Sequence, residues 1–321
     1  AAPPEVEAAL LSLDFPQLTR CKRLKVSFHA TYFLDFAGPL PGATGPSANR
    51  AVLQLIGSEL GDKPYFHLGK PISAESISKA TSLAEEMGIR VPRVLATGEV
   101  EEWGPLQAVP FVVYEFIDTE TVEDEVKAPE KEWKRICRHI IDQLGARSMS
   151  GVDTEPLPRF EDCFAFVAYL SQIAAEARAD DLVQALARVE ALMREQGVQP
   201  VPPRLIHQDL NDGNILCSRD PGGQPGAWRL DALIDWEGAV VGDPRVLIER
   251  GEPWSTLRKL AMLTKVRWLA AAASGAAAGA TAGAQLPRCC AEELMEDYKE
   301  VASRLVKAGW LPGVAKLPRF G

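Results

Sequence analysis

Alternating apolar and polar positions dominate the first part of the chain. The stretch RLKVSFHATYFLDFAG, residues 23–38, alternates in this way and is rich in β-branched and aromatic residues. It predicts two strands with a turn at SFHAT. PLPGATGPSAN follows as a Gly/Pro loop, and RAVLQLIG reads as a third strand. SAESISKATSLAEEMGI, residues 73–89, spaces its apolar residues at near-helical intervals, with Gly88 close to its end. RVPRVLATGEV and VPFVVYEFI predict two further strands around the turn EEWGP. Residues up to 117 therefore predict a five-stranded sheet with one helix, in which residues 1–20 read as a short entering helix and strands begin from Lys22.

Beyond residue 117 the period changes. Long amphipathic helical stretches cover 131–148 and 160–196, and helices resume at 253–273 and 291–309. Between them, Arg204 to Val241 is polar and strand-like. The Ala/Gly tract at 270–284 is expected to be a flexible loop between helices.

Composition adds limits rather than detail. A chain of 321 residues can form two lobes that share a cleft. The formal net charge of -9 argues against a nucleic-acid partner, which needs clustered Lys and Arg. The six cysteines show no CxxC pair, so a zinc site is not expected. Free thiols in a reducing compartment are expected instead, with the adjacent Cys289 and Cys290 as candidates for redox chemistry. No apolar run reaches the ~20 residues that span a membrane. AAPPEVEAALLSLDF lacks a basic start and a long apolar core, so it is not expected to act as a signal peptide. A cytoplasmic protein without a membrane partner is the expectation.

The chemistry is concentrated in LIHQDLNDGNILC and ALIDWEGAVVGDP. The first has the spacing H-x-D-L-x-x-x-N of a kinase catalytic loop. Phosphoryl transfer asks mainly for positioning and charge neutralisation. A carboxylate must meet the acceptor hydroxyl and take its proton, and Asp209 is the candidate. Asn214 offers a neutral amide oxygen, a hard ligand of the kind Mg²⁺ prefers. His207 is expected to brace the loop by bonding to backbone. Asp235 follows three apolar residues and takes the place of the Asp in the kinase D-F-G segment, a second metal ligand. A hairpin of NILC and WRLDALI around a Gly/Pro turn would bring Asn214 and Asp235 side by side. The plain alternative for the loop alone is turn chemistry by Asp, Asn and Gly.

Together the two motifs resemble the aminoglycoside phosphotransferase and choline kinase superfamily. Trp-Glu after Asp235, and the GDP at 242–244, favour that branch over protein kinases, as does the lack of an A-P-E segment. The resemblance implies an α+β, bilobal protein-kinase-like fold. Residues 1–117 would form a nucleotide-binding lobe with a five-stranded antiparallel sheet and one helix. Residues 118–321 would form a larger, mainly helical lobe for catalysis and substrate binding. ATP and Mg²⁺ are the implied cofactors, and a small-molecule hydroxyl compound is the acceptor. VPFVVYEFIDTETVED resembles the hinge, where backbone from Glu115 to Ile117 would bind adenine and Tyr114 would close the back of the pocket.

Three departures from the pattern stand out. Gln54 occupies the strand position that usually carries a Lys or Arg to the phosphates, with Arg50, Lys63 and Lys70 as substitutes. Glu75 is the nearest partner for that missing cation, while Glu85 and Glu86 read as a solvated face. The turn SFHAT has no glycine, leaving His29 or Thr31 to touch phosphate. These losses keep open a second reading, a kinase-fold protein that binds nucleotide or ligand without turnover. Acidic residues toward the C-terminus, among them Glu237, Asp243, Glu249, Glu252, Glu292, Glu293, Glu296 and Asp297, would suit an amino sugar or amino alcohol. Trp254, Trp268 and Trp310 are candidates either for an aromatic box or for the core.

Overall fold

The computed structural model of the protein describes residues 2–24, 29–56, 66–67, 70–100, 109–119, 128–211, 213–222, 226–249, 251–273 and 288–313. A short helix, α1 (Pro4–Leu11), leads into strands β1 (Leu18–Arg23), β2 (Ala30–Phe36) and β3 (Arg50–Leu55). A two-residue pair, β4 (Phe66–His67) and β5 (Lys70–Pro71), precedes helix α2 (Ala74–Glu86). Strands β6 (Val94–Val100) and β7 (Val109–Glu115) complete a five-stranded sheet in the order β1-β2-β3-β7-β6, antiparallel throughout. The strand carrying Gln54 lies at its centre.

Alternation decides which face is covered. Ala30, Tyr32, Leu34 and Phe36 of β2 are buried, with half-buried residues between them. Helix α1 caps this face with Val6 and Ala9, and Tyr32 Oη donates to Glu5 at 2.6 Å. Helix α2 covers the opposite face. It starts at a capping box in which the Ser73 and Ser76 side chains each accept from the other's backbone N–H. Its Ile77, Ala80, Leu83 and Ala84 are buried, while Glu85 and Glu86 stay exposed.

The second lobe is built from helices α3 (Glu130–Ala146), α4 (Cys163–Glu176), α5 (Asp180–Glu195), α6 (Arg245–Ile248), α7 (Trp254–Ala273) and α8 (Arg288–Lys307). The stretch 160–196 forms two helices rather than one, broken at Arg178, which adopts a left-handed φ of 53°. The Ala/Gly tract is helical as far as Ala273, and its remainder lies outside the described residues. Between the helices run β8 (Arg204–Ile206), β9 (Ile215–Arg219), β10 (Trp228–Leu233) and β11 (Val240–Gly242). β9 pairs with β10 as a hairpin, and β8 pairs with β11.

One apolar cluster joins the lobes. It holds Ile77 and Leu83 of α2, Ile136 and Ile140 of α3, and Ile215, Leu233 and Trp236 beside Asn214 and Asp235. Helix α2 is therefore packed directly onto the segment that carries Asp235. Among the described residues no helix is long and apolar enough to cross a membrane. Among the described residues Cys21, Cys137, Cys163 and Cys217 form no disulfide, and the side chains of Cys289 and Cys290 lie outside the described residues.

Candidate active site

The sequence between β8 and β9 cannot continue either strand, because its polar residues bond to their own backbone. Asn211 Oδ1 accepts from the amides of Gly213 (2.8 Å) and Asn214 (3.1 Å), which closes a tight loop. His207 is fully buried and fixes the loop from behind. Its Nε2 donates to the Ile234 carbonyl at 2.8 Å, and its Nδ1 accepts from the Asp209 amide at 3.3 Å. Burial pushes this imidazole's pKa down, which favours the neutral tautomer that these two bonds require. The ring also packs edge-on against Trp236, with centroids 4.6 Å apart.

Asp209 is held by two amides. Asn211 Nδ2 donates to its Oδ1 at 2.8 Å, and Asn214 Nδ2 donates to its Oδ2 at 2.9 Å and to its carbonyl at 3.0 Å. With its nitrogen so committed, the Asn214 amide keeps its oxygen for another partner. The hairpin does what its sequence predicts. Ile215 pairs with Leu233, and the Ile234 amide donates to the Asn214 carbonyl at 2.9 Å. Asn214 and Asp235 are thereby neighbours.

Asp235 adopts φ 71° and ψ 55°, and Gln208 on the facing loop has φ 69°. Both are left-handed positions without glycine, a strain of about 1–3 kcal/mol each that surrounding structure must hold. Burial raises the pKa of the Asp235 carboxyl well above the usual range, and the neighbouring Glu237 carboxylate raises it further. A buried acidic pair of this kind is relieved by a cation. Asn214 Oδ1 and the Asp235 carboxylate are oxygen donors of the hard kind that Mg²⁺ prefers. Among the described residues there is no cluster of three or more His, Cys, Asp or Glu that would make an all-protein metal cage. A site completed by substrate phosphates fits these residues.

On the sheet side, Gln54 is buried and lies between Tyr114 and Asp235. Tyr114 Oη donates to Gln54 Oε1 and Gln54 Nε2 donates to Asp235 Oδ1, both at 3.5 Å. Tyr114 thus faces the carboxylates through Gln54. Arg50 sits four residues along β3, about 13 Å away, paired with Asp35 at 3.3 Å and stacked over Phe116. Lys63 lies outside the described residues, and of Lys70 only its place in β5 is described. Glu75 is exposed in the first turn of α2. His29 is buried with its Nε2 3.4 Å from Glu237 Oε1, and Thr31 pairs across the sheet with Gln54. Burial lowers the His29 pKa to about 4.

Where β7 ends, the Glu115 amide donates to the Arg93 carbonyl at 2.9 Å and the Phe116 amide to the Arg50 carbonyl at 3.4 Å. The Glu115 carboxylate accepts from the Arg93 amide and guanidinium, at 3.1 and 3.3 Å. The Ile117 amide makes no bond among the described residues.

Asp209, Asn214, Asp235 and Glu237 open into one cleft of about 580 Å³, walled by Phe160, Phe166, Arg258, Met262 and Lys265. Sequence reading missed Lys265. Its signal is the spacing Arg258–Met262–Lys265, a second stripe on a helix whose other face, Leu257, Leu260 and Leu263, enters the core. Burial lowers the Lys265 pKa, while the carboxylates of Glu237, Asp209 and Asp235 oppose that shift. Asp243 also lines the cleft but is fully committed to Arg245, at 2.6 Å. Glu252 bonds to Thr256 at 2.7 Å, Glu249, Glu296 and Asp297 are exposed, and the side chains of Glu292 and Glu293 lie outside the described residues. The tryptophans serve separate contacts. Trp254 lies under Arg245, Trp310 under Arg188, and Trp268 packs against Ala271.

Solved structures of similar fold include two phosphotransferases. One is the GDP complex of a mutant of aminoglycoside 2'-phosphotransferase-IIIa, with a TM-score of 0.54 and 16% identity over 93% of this chain and 96% of that one. The other is a thermostable mutant of aminoglycoside phosphotransferase APH(4)-Ia in ternary complex with AMP-PNP and hygromycin B. Its TM-score is 0.54 and its identity 16%, over 95% of this chain and 97% of that one. At such identity the likeness shows a shared kinase-like fold. No curated protein sequence matches the chain. The model of the phosphotransferase enzyme family matches residues 50–246, from the central strand through both motifs, and the chain belongs to that family.

Proposed function

We propose that the protein transfers the γ-phosphoryl group of ATP to a hydroxyl of a small molecule. The observation that carries this reading is the placement of Asp209, Asn214 and Asp235 on one wall of a single cleft. Asp209 is the candidate base. Its carboxylate is oriented by Asn211 and Asn214, and it would take the acceptor's proton as the new O–P bond forms. His207 is a positioning residue, because it fixes both the Asp209 amide and the Ile234 carbonyl. Asn214 and Asp235 would hold Mg²⁺, which when bound neutralises charge on the phosphate oxygens. The Ile117 amide and the carbonyl of Glu115 would read the adenine edge, with Tyr114 and Gln54 behind them. Residues 1–117 would bind nucleotide and residues 118–321 would supply catalysis and the acceptor site. An acceptor bearing an amino group would have Glu237 to meet. The free thiols agree with a reducing, cytoplasmic compartment.

A specific observation favours a second reading, nucleotide binding without turnover. Gln54 carries no charge at the centre of the sheet, and electrostatic stabilisation is usually the largest catalytic contribution. Mg²⁺-dependent ATP and GTP turnover over a panel of amino alcohols, aminoglycosides and sugars separates the two. Turnover by the wild type that is lost in Asp209→Asn is the expected result. Nucleotide binding with equal, background rates in both proteins would support the second reading.

A further inference from the structure

We propose that Lys265, from helix α7 of the C-terminal lobe, supplies the positive charge on the transferred phosphoryl group that Gln54 cannot supply from the sheet. This rests on the phosphotransferase reading above. A γ-phosphoryl group in transfer spreads negative charge over its outer oxygens, and protein cations normally meet it. Along β3 no such cation is available. Gln54 is neutral, and Arg50 is paired with Asp35 at the hinge end of the strand.

Lys265 fits the place from the opposite side. It lines the same cleft as Asp209, Asn214, Asp235 and Glu237. The carboxylates of Glu237, Asp209 and Asp235 act on the Lys265 ammonium electrostatically, and Lys265 in turn acts on His29, just before β2. Asp209, Asp235 and Glu237 come from the loop after β8 and the segment after β10, and all three share the cleft with Lys265. The helix is fixed there, because Leu257, Leu260, Leu263 and Val266 lock its far face into the core. Among the described residues the Lys265 ammonium makes no hydrogen bond or ion pair, so an arriving phosphate would not have to displace a partner. The other cation of this wall, Arg258, is already donating to the Val246 carbonyl at 2.9 Å. In the transfer the bond from the acceptor oxygen to phosphorus forms as the bond to the bridging oxygen of ADP breaks, and the acceptor proton passes to Asp209. Lys265 keeps its own proton and donates to non-bridging oxygens throughout.

The test is calorimetric titration of the full chain with Mg²⁺–AMP-PNP and Mg²⁺–ADP, for wild type and Lys265→Met. A charge-assisted bond to the third phosphate predicts a loss of about ten- to a hundredfold in AMP-PNP affinity, with ADP affinity unchanged. Lys265→Arg should recover most of that loss. Lys265→Gln keeps a donor among the same carboxylates and serves where the methionine variant does not fold. Unchanged AMP-PNP affinity, or an equal loss for both nucleotides, would overturn the assignment while leaving the phosphotransferase reading intact. A wild type that binds neither nucleotide would overturn that reading, and this inference with it.

Discussion

Single side chains decide whether the two motifs become a working site. His207 joins the Asp209 loop to the Asp235 segment through Nε2 and Nδ1, so a hydrophobic ring of similar size breaks two bonds at once. His207→Phe leaves the Ile234 carbonyl without its buried donor. A stability loss of about 1–3 kcal/mol is expected, read as a shift in urea midpoint, together with slower turnover at unchanged nucleotide affinity. His29 gives a pH signature. It titrates at 6.5 as an unperturbed group and at about 4 in the folded chain, because burial opposes its charge. The unfolded chain therefore takes up this proton first as pH falls. Stability should drop between pH 6.5 and 4, by about 3 kcal/mol in full. Urea midpoints against pH should show that slope in the wild type and a flatter one in His29→Gln; parallel curves would refute the assignment. Fixed spacing alone marks Asp209, Asn214 and Asp235 as candidates, and the fold brings them to one cleft. Spacing does not single out Lys265, which reaches that cleft only because helix α7 faces it.

Elements carry the geometry, and they were legible where one face is buried and the other is not. Strand β2 alternates cleanly and was readable. Helix α7 has one face in the core and the other along the cleft, so its pattern reads only as a generally apolar helix. The break between α4 and α5 was hidden because Arg178, not glycine or proline, takes the left-handed turn. Packing within the sheet offers a direct check. A Cβ at Gly98 of β6 would lie 2.7 Å from the Phe111 ring on β7. Gly98→Ala should cost about 1–3 kcal/mol by overpacking, measured as a lower thermal midpoint. Gly98→Ala combined with Phe111→Leu should recover part of that loss.

At the scale of the whole molecule, the two lobes are coupled by the cluster that joins α2, α3 and the Asp235 segment. Nucleotide bound at the hinge and at Asn214 and Asp235 would bridge both lobes, so it should stabilise the protein as one unit. At a hundredfold excess over the dissociation constant, Mg²⁺–AMP-PNP should add about 2.7 kcal/mol. A single raised melting transition is expected, and chelating Mg²⁺ should remove most of the gain. The bilobal plan followed from the motifs rather than from secondary structure, since a sheet followed by helices suits several folds. Phosphoryl transfer in the cleft is best tested by ³¹P NMR of ATP, Mg²⁺ and an acceptor panel with the full chain. A new phosphomonoester signal that grows as ADP accumulates, and that is absent with Asp209→Asn, is the predicted result. Nucleotide binding with no phosphomonoester on any acceptor, or the same signal from wild type and Asp209→Asn, would contradict it.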